Sequence, residues 1–311
     1  PLAPAPARHP HRTHRRQGMV LSALVDFVLG WPPWLFPFLA GAVVMLLIDI
    51  HQKKPKFIYP EGSMLQPHRP FAIRAINYFG SAAAAIGILW PSLDSKDLVK
   101  QALEGAGLDT EPAATDKGSY GNSLEILLEV LENEARLTTL GRLVAQGMIA
   151  KSLTNRFLLD HKFEIDDRIR KEKVKPPVVI LGLPRTGTTF LHGLLSQDRR
   201  MFRSPMLWEL TCLKKQEKDR GERIKHATND LENFLKLAPN FRAFHDISAI
   251  MPEECTVIFQ QGVMAQSMSF CLNAFTFDRW LMDQGFDSIM RRHRRMLQYL
   301  QFDEKEIDPS S

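Results

Sequence analysis

The residues with the clearest chemical potential form a short loop, GLPRTGTT, over residues 182–189. Its two glycines allow the backbone to curl, and a single cation, Arg185, lies between them. Two hydroxyls, on Thr188 and Thr189, follow the second glycine. Backbone amides at the start of a helix point outward, and the helix dipole favours a negative charge there. This combination predicts a loop that binds a phosphate or a similar oxyanion.

Such a loop needs a strand before it and a helix after it. The β-branched run VVIL, residues 178–181, follows two prolines and predicts a short buried strand. The apolar run FLHGLLSQ after the loop predicts the helix. Thr188, however, occupies the position where kinases and ATPases carry their phosphate-binding lysine. A P-loop kinase or nucleotide hydrolase is therefore the rival interpretation, and the missing lysine argues against it.

The loop and its flanks, PPVVILGLPRTGTTFLHGLLSQD, resemble the 5′-phosphosulfate loop of sulfotransferases that use 3′-phosphoadenosine 5′-phosphosulfate. The Arg-Thr-Gly-Thr-Thr form is similar to one branch of that family. Supporting segments stand in the family's order: ENEARLTTLGR (132–142), FRSPMLWEL (202–210), HDISAIMPEEC (245–255) and RRHRRMLQYLQ (291–301). The resemblance covers roughly residues 97–301.

The resemblance implies an α/β fold, with three layers of the P-loop nucleotide-kinase type around a central parallel sheet. It implies an enzyme that transfers a sulfuryl group from 3′-phosphoadenosine 5′-phosphosulfate to a hydroxyl or amine acceptor, with no metal ion. The backbone of Arg185, Thr186, Gly187, Thr188 and Thr189 would bind the 5′-phosphate. Arg185 matches the family's catalytic basic position and would stabilise charge on the bridging oxygen.

The implied reaction needs a base for the proton of the acceptor, and the candidates are His245, Glu253 and Glu254. Histidine titrates near neutrality, which suits the role, but His245 could also be a hydrogen-bonded structural residue. The two glutamates follow a proline and could instead open a helix, where negative charge is favourable. The sequence leaves these alternatives open.

A complete member of the family continues into a strand with Lys-Ser-Pro and a region that binds the 3′-phosphate. Neither is found here, since the similar tripeptide Arg203-Ser204-Pro205 lies too early. We therefore expect a C-terminally truncated or degenerate member. An inactive, membrane-tethered sulfotransferase-like binding protein is the corresponding alternative function.

The chain of 311 residues is expected to contain a membrane anchor, because residues 27–48 carry no charge and about 20 such residues span a bilayer. This predicts a single-pass membrane protein of the Golgi or another endomembrane. The expected organisation is a disordered basic leader (1–18), the anchor (19–50), a connector (51–96) and a sulfotransferase-like domain (97–311).

Helical periodicity predicts further elements around the loop. Residues 98–107 should form a helix that ends on a glycine, and residues 124–159 should form two helices. The apolar run over residues 79–90 is too short to span a bilayer, and it predicts an interfacial segment or a docking helix.

The net charge of +5 does not indicate a nucleic-acid partner. Four arginines and no acid fall within residues 1–18, so residues 19–311 carry only +1. Three cysteines, Cys212, Cys255 and Cys271, contain no metal-binding pair. The expected partners are a membrane, through residues 27–48, and a small-molecule, lipid or glycan acceptor.

Four arginines cluster over residues 291–295. On a helix they cannot all face one way. The sequence predicts a solvated face or a contact with anionic lipid, with an acidic acceptor as the further possibility.

Overall fold

The computed structural model describes residues 71–85, 91–113, 117–183, 186–213, 220–238 and 241–307. The chain divides into two units between Gln66 and Pro67, and every described residue belongs to the second unit. The domain boundaries expected after residues 18, 50 and 96 therefore stay predictions.

The described residues form helices joined by irregular connections. In chain order these are α1 (Phe71–Ala85), α2 (Ser95–Ala106), α3 (Lys117–Asn133), α4 (Thr139–Ile165), α5 (Asp167–Lys171), α6 (Thr188–Leu195), α7 (Leu207–Thr211), α8 (Arg220–Leu237), α9 (Phe241–Phe244), α10 (Thr256–Gln260), α11 (Gln266–Leu272), α12 (Phe275–Met282) and α13 (Asp287–Ile307). The main apolar core is packed between helices, with α4 at its centre.

Helix α2 begins and ends at capping residues that can be recognised in the sequence. Asp94 Oδ1 accepts hydrogen bonds from the backbone amides of Lys96 at 2.8 Å and Asp97 at 3.2 Å, which caps the first turn. Gly107 ends the helix with φ of 65°, a left-handed conformation that glycine adopts without a Cβ clash. The helix predicted over residues 98–107 is confirmed.

Helix α4 packs along α2. Ile149 and Leu153 lie four residues apart, so they share one face of α4, and both are fully buried. Thr154 Oγ1 donates to the carbonyl of Ala102 at 3.3 Å, which ties the two helices together. The two helices predicted within residues 124–159 are confirmed as α3 and α4.

Helix α1 docks on α4, since Asn77 Oδ1 accepts a hydrogen bond from the backbone amide of Leu140 at 3.1 Å. The apolar run predicted over residues 79–90 begins in α1, and residues 86–90 lie outside the described residues. For its described half, the docking-helix alternative is the correct one.

The predicted central parallel sheet is wrong. The described residues contain one isolated antiparallel bridge and no strand, so the three-layer α/β fold is corrected to a helical one. Residues 178–181, the predicted strand, pair with no neighbour, and Val178, Val179 and Leu181 are 68%, 74% and 93% exposed. A strand is defined by backbone hydrogen bonds to an adjacent strand, and β-branched residues favour a sheet only where it buries them.

The single-pass membrane localisation is the second correction. Within the described part of the chain, no helix combines the length and the apolar character that crossing a bilayer requires. The segment that suggested an anchor, residues 27–48, lies outside the described residues, as do the leader and most of the connector.

The interpretation of residues 291–295 as a solvated or lipid-contacting face is the third correction. Two of the four arginines are exposed, but Arg292 is only 5% exposed and the side chain of Arg295 is 23% exposed. Arg292 Nη1 lies 3.3 Å and Arg295 Nη1 lies 3.0 Å from Oδ1 of Asp160, which is completely buried in α4. The segment is therefore partly buried, because Asp160 offers a buried carboxylate to two of its arginines.

Candidate active site

The described residues on the two sides of the predicted anion-binding loop contact each other before α6. Thr186 Oγ1 donates to the carbonyl of Leu183 at 2.7 Å. A Cβ at Gly182 would lie 2.8 Å from Thr188 Cγ2, so the turn leaves no space for a side chain there. Gly187 has φ of 91°, which a residue with a Cβ adopts only at a cost. Both glycines are therefore required by the geometry of the turn.

The loop delivers the chain to the N-terminus of α6, and Gly187 is the capping residue. A glycine has no side chain to accept the first amides of the helix, and those amides have no partner within the helix. No residue of α6 is buried, and Thr189 is exposed. Outward amides, a positive dipole end and open access are what binding an oxyanion requires.

A second segment, residues 245–254, is fixed by backbone pairing to the segment before α7. The amide of Glu253 donates to the carbonyl of Pro205, and the amide of Leu207 donates to the carbonyl of Met251, each at 3.0 Å. Pro252 and the residue after Pro205 form the isolated bridge. This pairing sets the position of Glu253 and of the residues that follow it.

His245 and Glu253 are brought together by this arrangement. His245 Nε2 lies 3.3 Å from Glu253 Oε2, and Glu253 is only 7% exposed. The second oxygen of Glu253 accepts the backbone amide of Glu254 at 2.8 Å, which holds the carboxylate in place. The hydrogen bond to Glu253 raises the pKa of His245 above 6.5; partial burial opposes this, and the negative charges of Glu254 and Asp246 add to it. His245 is therefore a stronger base than an isolated histidine.

The loop and the second segment meet. Thr189 Oγ1, in the first turn of α6, donates to Glu254 Oε1 at 3.4 Å, a long hydrogen bond across 65 residues of sequence. The structure thus joins the first turn of α6 to Glu254, whose neighbour Glu253 contacts His245. Thr186, Gly187 and Thr188 precede Thr189 at the start of this helix. Arg185 lies outside the described residues, so its role stays a prediction.

The two glutamates directly precede a short helix, and the carbonyl of Glu254 accepts a hydrogen bond from the amide of Val257 at 3.3 Å. Helix α10 begins at Thr256 with Cys255 as its capping residue, so both glutamates precede it. Glu253 is engaged with His245, and Glu254 reaches Thr189.

Two neighbours of the site were missed from the sequence. Cys255 Sγ lies 3.0 Å from His293 Nε2, so α13 contacts the end of the second segment. Burial raises the pKa of the Cys255 thiol and lowers that of His293, so both groups are neutral near pH 7. The spacing of these residues carries no signal of their contact, because they come from separate elements.

Arg203 is a third residue whose contacts the sequence does not predict. It forms an ion pair with Glu209 at 2.8 Å and a second one with Glu304 of α13. Glu209 in turn accepts the backbone amide of Met206 at 2.8 Å. Arg203 therefore links the paired segment before α7 to the last helix. The described residues include no group of three or more His, Cys, Asp or Glu side chains placed to bind a metal ion.

Residues 176–305, which include the loop, the second segment and most of α13, match the model of the sulfotransferase family. This part of the chain is therefore similar to the sulfotransferase family. No curated protein matches the chain in sequence.

Two solved sulfotransferases have a similar fold. The sulfotransferase STF1 from Mycobacterium tuberculosis H37Rv is 25% identical, with a TM-score of 0.55 over 68% of this chain. STF9 from Mycobacterium avium is 22% identical, with a TM-score of 0.59 over 70% of this chain, and it supports the fold alone. The chain spans 59% of STF1 and 56% of STF9. The sulfotransferase-like segment is thus related to enzymes.

Proposed function

We propose that this protein transfers a sulfuryl group from 3′-phosphoadenosine 5′-phosphosulfate to a hydroxyl or amine acceptor. The observation that supports this most directly is the contact between Thr189 and Glu254. This contact joins the first turn of α6 to the residue that follows Glu253, and Glu253 lies 3.3 Å from His245. An oxyanion site next to a base is the minimum arrangement for such a transfer.

The loop residues fit a phosphate group. The amides of Thr188 and Thr189 start a helix whose cap supplies no acceptor, and the hydroxyls of these residues are further donors. We expect them to bind the 5′-phosphate of the donor. We expect Arg185 to stabilise the negative charge that grows on the bridging oxygen as the bond to sulfur breaks.

The transfer is an in-line displacement. The acceptor oxygen or nitrogen forms a bond to sulfur, the bond from sulfur to the bridging phosphate oxygen breaks, and its electron pair stays on the leaving phosphate. The acceptor proton must go to a base. His245 Nε2 lies 3.3 Å from a Glu253 carboxylate oxygen. Because a carboxylate only accepts hydrogen bonds, we expect the imidazole proton on Nε2 and expect the lone pair on Nδ1 to take the acceptor proton. Glu253 then stabilises the imidazolium, as a positioning residue.

The direct experiment measures nucleotide binding and transfer with the purified chain. Calorimetric titration with 3′-phosphoadenosine 5′-phosphate should show saturable binding, and transfer should be measured with a panel of phenols, sugars and amines. Arg185→Ala should lower the rate about 10²–10³-fold, the usual loss on removing one charge-stabilising donor. Arg199→Ala, which removes an exposed arginine after α6, is the matched control and should leave the rate unchanged.

Three outcomes would contradict the proposal. Absence of nucleotide binding would exclude the donor site. Binding without transfer to any acceptor would favour a non-catalytic binding protein. Phosphoryl transfer from a nucleoside triphosphate that stops when magnesium is chelated would favour the kinase interpretation.

A further inference from the structure

Arg203, in the connection between α6 and α7, ties α7 to α13. Its Nη2 atom donates to Glu209 Oε1 at 2.8 Å and to the carbonyl of Leu300 at 3.4 Å. Its Nε atom pairs with the carboxylate of Glu304, further along α13. The side chain of Arg203 is 30% exposed and that of Glu209 only 11%, so the bond between them is partly shielded from water. Salt screens such a pair much less than an exposed one.

The other oxygen of Glu209 restrains the backbone at Met206. Glu209 Oε2 accepts the amide of Met206 at 2.8 Å, and the amide of Glu209 donates to the carbonyl of Met206 at 3.0 Å. These two bonds close the first turn of α7. A carboxylate that accepts a backbone amide forms a charge-assisted hydrogen bond, which is about twice as strong as a neutral one. Glu209 thus holds Met206 with one oxygen while Arg203 holds the other oxygen.

The backbone around Met206 is the part of the chain that pairs with the second segment. Three backbone hydrogen bonds of 3.0 Å each join residues 205–208 to residues 249–253. One of them runs from the amide of Glu253 to the carbonyl of the residue before Met206. The position of the Glu253 backbone therefore follows the position of the turn that Glu209 closes.

The contact between Glu253 and His245 is sensitive to that position. The two side chains are 3.3 Å apart, slightly longer than the usual 2.7–3.2 Å of such a bond. This hydrogen bond contributes most to the raised pKa of His245; partial burial opposes it, and the charges of Glu253, Glu254 and Asp246 add to it. A shift of the Glu253 backbone away from His245 would remove the largest of these contributions.

We propose that Arg203 is a positioning residue for the candidate base: through Glu209 it holds the turn at Met206, and thereby the Glu253 carboxylate, against His245. Without the guanidinium, the largely buried Glu209 carboxylate would turn towards water, release the Met206 amide and relax the turn. The functional meaning of this inference rests on the proposed sulfuryl transfer, because that reaction is what makes His245 a base. The positioning itself does not depend on it.

The test measures the pKa of His245 by NMR, from the pH dependence of its imidazole signal in the whole chain without donor or acceptor. The signal is assigned by its absence from His245→Ala. Arg203→Ala should lower the pKa of His245, because Glu253 is no longer held against the ring. Arg200→Ala is the matched control and should leave this pKa unchanged, since the Arg200 side chain is 93% exposed and pairs with Asp198 at the surface.

Two conservative variants separate positioning from a general loss of structure. Glu209→Gln keeps an oxygen for the Met206 amide but loses the charge that binds Arg203, so it should lower the pKa of His245 in the same direction and by less. Arg203→Lys keeps the positive charge without the planar fork, and it should restore part of the shift. A merely structural role would lower the urea midpoint of these variants and leave the pKa of His245 at its wild-type value.

The inference is overturned if folded Arg203→Ala keeps the wild-type pKa of His245. If that variant does not fold, an unchanged pKa in Glu209→Gln overturns it instead. An equal decrease in Arg200→Ala would also do so, because the effect would then not depend on Glu209. The titration needs no substrate, so a lowered pKa in a chain that transfers no sulfuryl group supports the positioning and contradicts only the proposed reaction. Where transfer is observed, Arg203→Ala should move the acidic limb of kcat/KM to lower pH.

Discussion

At the scale of single residues, the candidate base depends on how His245 is held. Glu253 is buried, and its carboxylate is fixed by the amide of Glu254, so it gives the imidazole a permanent acceptor. A histidine oriented in this way keeps its proton on the nitrogen that faces the carboxylate and presents the other nitrogen as the base. The structure gives these three neighbouring residues different contacts: Glu253 lies against His245, and Glu254 reaches Thr189.

Removal of the proposed base should slow the transfer step. General bases contribute about 10²–10⁴-fold to rate, so His245→Ala should lower kcat by that order. His226→Ala is the matched control, since His226 is an exposed histidine on α8. The measurement is the initial rate of transfer at saturating donor. Equal rates for the two variants would exclude His245 as the base.

Glu253 should set the pH at which His245 works. The hydrogen bond to Glu253 raises the pKa of His245, and a base acts only when it is deprotonated, so activity should fall below a pKa that is higher than 6.5. Glu253→Gln removes the negative charge, lowers this pKa and should move the acidic limb of kcat/KM to lower pH. Glu254→Gln should move it less, because Glu254 acts on His245 only through its charge.

The same pKa shift predicts how the stability depends on pH. The pKa of His245 is higher in the folded chain than in the unfolded chain, so its protonation stabilises the fold at low pH. This contribution is complete below about pH 6.5, the unfolded value, and is lost as the pH rises through the folded pKa. Urea unfolding of the wild type and of Glu253→Gln across this range should show the difference shrinking as pH rises. A difference that grows with pH would contradict the assignment.

At the scale of elements, the site depends on where α6 begins. Gly187 allows the abrupt change from loop to helix, and the pairing of residues 205–207 with residues 251–253 brings the second segment to the same place. Gly187 and this short pairing each involve only a few residues, and both fix the course of the backbone rather than the position of one side chain. We therefore expect the proposed oxyanion site to be sensitive to backbone changes at the start of α6.

Two glycines of this region should respond in opposite ways to alanine. Gly187→Ala places a Cβ in a left-handed conformation and should destabilise the start of α6 by about 1–2 kcal/mol. Gly193 lies inside α6, and a Cβ there would meet nothing within 4 Å. Gly193→Ala should therefore stabilise the helix by about 0.5–1 kcal/mol. Hydrogen exchange of the α6 amides measures both changes, and nucleotide affinity should fall only for Gly187→Ala.

At the scale of the whole molecule, Asp160 is a junction between distant parts of the chain. It connects α4 to α13 across 132 residues of sequence, and it is the carboxylate on which three arginines converge. Its removal would take the carboxylate away from the buried Arg292 guanidinium, which is more costly than the loss of an exposed pair.

Asp160→Ala should accordingly destabilise the fold by about 3–5 kcal/mol, measured by urea unfolding. Asp230→Ala is the control, because Asp230 pairs with Lys151 at the surface, where both side chains are about half exposed. That variant should change the free energy of unfolding by less than about 1 kcal/mol. Similar losses for the two variants would show that the cluster around Asp160 is not a stabilising junction.

The sequence by itself determined the local features of this protein. Asp94 and Gly107 mark the two ends of one helix. The glycines of residues 182–189 predict a turn before a second helix, and the apolar periodicity within residues 124–159 predicts two further helices. These signals are reliable because caps, turns and helical periodicity act over a few residues. The residue types of the loop and of residues 245–255 also pointed to the family that the comparison then supported.

Only the tertiary structure decided which of these features meet. Val178 and its neighbours have the composition of a strand, but a strand requires a partner elsewhere in the chain, and the described residues supply none. The sequence predicts a surface position for Arg292, and only the structure shows that its guanidinium lies against the buried carboxylate of Asp160. The contact between Thr189 and Glu254 spans 65 residues and likewise depends on the path of the whole chain. Long-range pairing and burial are properties of that path, and no local pattern encodes them.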